Sequence, residues 1–248
     1  MAIDDPISAL KRQLEFEELS AVPYLDNLCD VLGMLLSLLK ADPVSPHAIS
    51  AIEKLRSKDE QHCIAVLLET LEQELRRLSV DVESILAKLA PAEQERTAKT
   101  MLGLIADASR KATATRSEQR VKRIAAILAH GLAALKIEEA DEIDEMMRIA
   151  MELTDRDVDY LGKLVRLEGG VVKANGRINR YEADRRWEES EWGRKNDPEV
   201  EGTFAKLESY GLVWQLPSQN NMNVMADIMN GYALLAKGLR FVELIASA

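Results

Sequence analysis

The chain has 248 residues, of which 47% are apolar and 30% charged, with a formal net charge of −10. These proportions exclude wholesale disorder, a collagen-like repeat and a disulfide-held mini-scaffold, and the length allows one or two domains with a sizeable core. The acidity opposes non-specific attraction to nucleic acid or anionic membrane.

Two compositions share the chain. Nine of the eleven aromatic residues lie from Tyr160 onward, and nine of the twelve glycines lie after Leu153. The charge divides in the same way. Residues 1–153 hold 19 basic and 27 acidic side chains, a net −8, and the remainder holds 13 and 15, a net −2. An aliphatic, charged, glycine-poor stretch suits long helices. A stretch with rings and turn formers suits a compact core. The expected division is an all-helical region over 1–153 and a second domain over 154–248.

In chain order, Asp5-Pro6 reads as a helix cap with proline at the first helical position. Pro23 opens a helix carrying Leu28, Leu32, Leu35, Leu36 and Leu39. The longest apolar stretch, 31–39, is about half of what a membrane span requires, and the acidic first residues lack an apolar signal core. A cytoplasmic protein with no membrane partner is the expectation. Cys29 and Cys63 sit in apolar helical surroundings and read as inert buried thiols.

The strongest periodic signal follows. Ile64, Leu68, Leu71, Leu75, Leu78, Val82, Ile85 and Leu89 alternate four and three apart. That is a heptad seam, which turns one stripe toward a partner helix. Glu69, Glu72, Gln73, Glu74, Arg76 and Arg77 flank it and suit a solvated outer face. The partner is either another helix of the chain, in an antiparallel bundle or long hairpin, or a second copy in a dimerising coiled coil. The candidate self-association seam comprises Leu68, Leu71, Leu75, Leu78, Val82 and Ile85.

Ala90-Pro91 ends that helix and starts the next, which runs through Met101, Leu104, Ile105 and Ala108 with weak points at Thr113 and Thr115. Val121 to Leu135 and Ile143 to Leu153 supply further stripes. The basic stretch Arg110, Lys111, Arg116, Arg120, Lys122, Arg123 and the acidic stretch 138–145 read as docking strips or as solvated helix faces that attract each other.

Thr154 and Asp157 form a capping-box pattern, with aspartate in place of the usual glutamate. Val158, Leu161, Leu164 and Val165 then face a core. Arg177, Arg180, Arg185 and Arg186 lie in a segment of mixed charge and are the candidate contacts for nucleic acid or another partner. Asp197-Pro198 starts a helix through Phe204, Leu207 and Tyr210, and Gly211 stops it. Residues 212–216 and 232–236 read as strands, and a last helix contains Leu239, Phe241, Val242, Leu244 and Ile245.

With Phe204, Leu207, Tyr210, Gly211, Leu212 and Val213, followed by Tyr232, Leu234, Gly238 and Phe241, the chain from Thr154 onward resembles the winged helix-turn-helix family. The resemblance implies a recognition helix, a two-stranded wing and a closing helix. Leu235 stands where many such domains have a threonine cap. The fold class expected is mainly α: a helical bundle or long helical hairpin with a coiled-coil-like seam, then a winged-helix-like α+β domain. The family implies DNA binding, but its presumed third helix carries Glu199, Glu201 and Glu208 against Lys206 alone, so phosphate contacts would be few.

His47, His62 and His130 show no metal-ligand spacing, and no phosphate-binding glycine loop or nucleophile elbow is present. No catalytic, cofactor-binding or metal-binding residue is assigned, and no cofactor is expected. The function expected is a non-enzymatic scaffold or regulator acting through protein contacts and self-association, with homodimerisation included. The alternative is a DNA-binding transcription regulator using its C-terminal domain.

Overall fold

The computed structural model describes residues 58–78, 88–115, 117–134, 139–167, 187, 190, 198–215 and 231–246. These form seven helices and one two-stranded antiparallel sheet, so the fold is mainly α. The chain divides into two compact units between Glu152 and Leu153.

The first unit contains α1 (Lys58–Arg77), α2 (Pro91–Ala114), α3 (Glu118–Ala134) and α4 (Ala140–Glu152). Helix α3 is its centre and touches α1, α2 and α4. Its sequence explains why it can. Val121, Ile124, Ala125, Ala126, Ile127, Leu128, Ala129 and Leu132 are all buried, and the alanines let neighbouring backbones approach on several sides. One close approach is at Gly131, where a Cβ would come within 2.9 Å of Ile143 on α4.

Helix α1 touches both α2 and α3. Two neighbours cover more than a heptad stripe, so Val66 and Leu67 are buried along with Ile64, Leu68, Leu71 and Leu75. The solvated outer face is correspondingly narrower than the flanking charges suggest. Glu72 and Glu74 are buried, and each accepts from an arginine one turn on, Arg76 at 2.7 Å and Arg77 at 2.8 Å. Burial of a carboxylate is tolerable only with such a partner.

The helix that starts at Pro91 ends at Ala114. Thr113 Oγ1 donates to the carbonyls of Ser109 and Arg110, competing with the regular ladder. Thr115 is extended (φ −101°, ψ 149°), and Ser117 Oγ accepts the Arg120 N–H to open α3. The basic stretch does not stay a strip. Lys111 pairs with Asp144 of the acidic stretch at 2.6 Å, Lys122 with Glu118, and Arg110 with Asp107, while Arg123 is buried. Arg116 lies outside the described residues.

The second unit contains α5 (Asp155–Leu167), α6 (Pro198–Ser209), β1 (Val213–Gln215), β2 (Tyr232–Leu234) and α7 (Ala236–Ile245). Its core is an aromatic cluster. Phe204 stacks on Tyr232 with ring centroids 5.1 Å apart, and Trp187 meets both edge-on at 5.0 and 5.6 Å. Tyr160 tilts against Phe204 from α5. Offset and edge contacts of this kind add to the area the rings bury.

Gly211 closes α6 with φ +69°. Its N–H donates to Glu208 O and the next N–H, from Leu212, reaches back to Leu207 O. This is the Schellman arrangement, and Leu207 and Leu212 are both fully buried, which supplies its hydrophobic contact. The strands pair Val213 with Leu234, Trp214 with Ala233 and Gln215 with Tyr232. Strand β2 ends before the expected residue 236, because Ala236 belongs to α7 instead, and the expected end of the first strand, Leu216, lies outside the described residues. Helix α7 starts early because Gly238 lets it lie against the Leu212 carbonyl, where a Cβ would come within 2.1 Å of the oxygen. Leu235 is the N-cap and makes no side-chain cap, as its position in place of threonine implies.

Candidate functional site

The candidate site lies on the exposed face of α6 in the second unit. Pro198 starts this helix with a preset φ. Val200, Thr203, Phe204 and Leu207 turn inward, and Glu199, Glu201, Gly202, Ala205 and Ser209 are exposed. The exposed residues of α6 include two carboxylates and no basic residue.

The one basic side chain of α6 points elsewhere. Lys206 donates to Asp157 on α5 at 2.6 Å. Asp157 is only 5% exposed and also completes the capping box: its carboxylate accepts the Thr154 N–H at 2.8 Å, and its own N–H donates to Thr154 Oγ1 at 3.2 Å. Burial pushes the Asp157 pKa up. The hydrogen bonds from Lys206 and from the Thr154 backbone and hydroxyl outweigh it and leave the carboxyl below the usual aspartate range.

A second bridge runs in the opposite sense. Arg156 donates to Glu199 at 2.6 Å and to the Tyr160 hydroxyl at 3.4 Å. The hydroxyl and the carboxylate both raise the guanidinium pKa. Arg156 and Lys163 each lie 5.4 Å from the centroid of the Tyr160 ring. Consecutive residues of α5 thus hold positions 199 and 206, two turns apart on α6, with opposite charge. A slip of α6 by one turn would break both bridges. The exposed Arg156–Glu199 pair adds little energy by itself; its consequence is that a carboxylate of the outer face is already partly neutralised.

At the C-terminal end of α6, the Glu208 carboxylate accepts the Gln215 N–H of β1 at 2.8 Å. Tyr232 stands nearby; burial, then the charges of Glu208 and Glu201, raise the pKa of its hydroxyl. Trp214 on β1 is 43% exposed, the one large apolar side chain in that state among the described residues.

Of the candidate seam, Leu68, Leu71 and Leu75 are buried within the single chain and Leu78 is half-buried. Val82 and Ile85 lie outside the described residues, as do Arg177, Arg180, Arg185 and Arg186. His62 is exposed, whereas the adjacent Cys63 is half-buried with its thiol directed at Thr115 O, 3.6 Å away. Cys63 is reduced. Among the described residues no cluster of histidine, cysteine and carboxylate side chains could hold a metal ion, and no helix is long and apolar enough to cross a membrane.

Reading the sequence alone misses the Asp157–Lys206 and Glu208–Gln215 contacts. The first leaves a partial signal, since an acidic residue in the capping position can also serve a distant cation. The small residues Gly202, Ala205 and Ser209 are visible at helical spacing once α6 is placed. The chain matches no protein family, and no curated protein or solved structure is significantly similar to it.

Proposed function

We propose that the protein is a non-enzymatic helical scaffold whose second unit, Leu153–Ala246, is a winged-helix-like module that binds protein rather than DNA. The order α5, α6, β1, β2, α7 and the glycine that stops α6 support the module's assignment. One observation carries the choice of partner. The exposed face of α6 bears Glu199 and Glu201 beside the small residues Gly202, Ala205 and Ser209, while Lys206 is tied to Asp157.

Phosphate contacts supply nearly all non-specific affinity for DNA and require Lys or Arg on the docking element. A duplex would meet carboxylates here. A protein helix meets Gly202, Ala205 and Ser209, small residues over which a backbone can approach, with Glu199 and Glu201 at their side to take its polar or basic groups. The contact is polar and small, as transient protein interfaces are.

Two measurements test the reading. Anisotropy with a labelled random-sequence duplex at low salt should give a Kd weaker than roughly 100 µM, the weak end of ordinary non-specific binding. A photoreactive residue at the exposed Ala205 should cross-link to a polypeptide in cells expressing the protein. Tight duplex binding with a steep salt dependence, or cross-links to nucleic acid, would establish the DNA-binding alternative instead.

A further inference from the structure

The pairing of β1 decides which of its backbone groups face away from β2. Leu235 N–H donates to Leu212 O at 3.0 Å. In the observed register Leu212 lies opposite Leu235 and its carbonyl stands at the place of a hydrogen-bonded pair, although its N–H is taken by Leu207 O. Hydrogen-bonded and non-hydrogen-bonded pairs alternate along an antiparallel ladder. Trp214–Ala233 is therefore the next hydrogen-bonded pair, and the N–H and C=O groups of Val213 and Gln215 point outward. Such an edge is a template for another strand. The strands carry no deterrent of their own, since neither Val-Trp-Gln nor Tyr-Ala-Leu contains a charge or a proline.

The Glu208 carboxylate oxygen stands 2.8 Å from the outward Gln215 nitrogen, where the carbonyl of an added strand would sit. We propose that Glu208 is an edge guard: it occupies the outward N–H of β1 and keeps the hairpin from pairing with β1 of a second copy. The second copy is the occupant to be kept out because the edge is complementary to itself. Two β1 strands related by a two-fold axis would match outward groups of the same residues. The guard does not depend on what α6 binds.

The test uses the full chain and two readouts, hydrogen exchange at the Gln215 amide and weight-average mass by light scattering up to about 0.5 mM, the range in which exposed strand edges associate. Glu208→Ala should speed exchange of that amide at least roughly tenfold and raise the mass above wild type as concentration rises. Glu208→Gln keeps an acceptor oxygen and should retain wild-type exchange and mass. The double variant Glu208→Ala/Gln215→Pro removes the outward donor itself and should return to wild-type mass, since proline is tolerated where an edge N–H faces out. Wild-type values for Glu208→Ala, association by Glu208→Gln, or association by the double variant each overturn the proposal. Should Glu208→Ala not fold, the wild-type protein decides: a protected Gln215 amide supports the guard, and exchange at the rate of an unstructured amide refutes it.

Discussion

Replacing Gly238 by alanine should destabilise the second unit, and the size of the effect follows from two contacts. The added methyl would lie 2.1 Å from Leu212 O and 3.0 Å from Leu234 Cδ1. A carbon–oxygen contact settles near 3.3 Å, so a gap of about 1.2 Å must open. The oxygen is not free to yield, because it accepts the Leu235 N–H that joins the hairpin to α7. Helix α7 must move instead. Stretching that hydrogen bond costs about 1 kcal/mol, and overpacking a tight site costs about 1–3 kcal/mol more. Alanine recovers up to ~1 kcal/mol of helix propensity. The net is a loss of about 2 kcal/mol, or roughly 8–16 °C in Tm for a unit of this size. Trp187, Trp192 and Trp214 are the only tryptophans and all belong to the second unit, so their fluorescence reports its unfolding without interference from the first. Gly202→Ala is the control. It adds a methyl with nothing within 4 Å, in the exposed part of α6, and should stabilise by up to ~1 kcal/mol. A Gly238→Ala protein that melts with wild type, or above it, would refute the close approach of α7 to Leu212.

Acid should weaken the second unit through Asp157. Its folded pKa is depressed, so its contribution is complete above the unfolded value of about 3.9 and is lost as pH falls from there through the lower folded pKa. Asp157→Asn should reduce stability at neutral pH and flatten that part of the acid limb; an unchanged limb would mean the carboxylate is not held by Lys206 and Thr154. Leu71→Ala should cost the first unit about 2–5 kcal/mol, since Leu71 is fully buried within one chain. Light scattering should show the same mass for the folded variant as for wild type, whereas dissociation of a dimer at unchanged stability would assign the seam to self-association. Gly131→Ala should lose about 1–2 kcal/mol by crowding Ile143. Ile143→Val in the same chain should recover part of that loss, and strict additivity in the double-mutant cycle would show that the two residues are not in contact.

Much of the architecture was legible because it rests on local chemistry. Pro91 and Pro198 start helices since their fixed φ suits the first turn. Gly211 stops one since its left-handed backbone disfavours any other residue. Thr154 and Asp157 reach each other within a single turn. The aliphatic stripes had to be buried, and Tyr160, Trp187, Phe204 and Tyr232 share one cluster.

What remained open was decided by which elements meet. Nothing in the spacing of α1 told one covering helix from two, and so Glu72 and Glu74 read as solvated although packing buries them. Asp157 and Lys206 stand 49 positions apart, and Glu208 meets Gln215 only after a left-handed turn has reversed the chain. A periodic pattern states which face of a helix avoids water. It carries no information on how much of that face a neighbour covers, or on which distant charge a buried carboxylate will find. Those depend on chain segments that become adjacent only when the units fold, as α5 and α6 do where Asp157 meets Lys206.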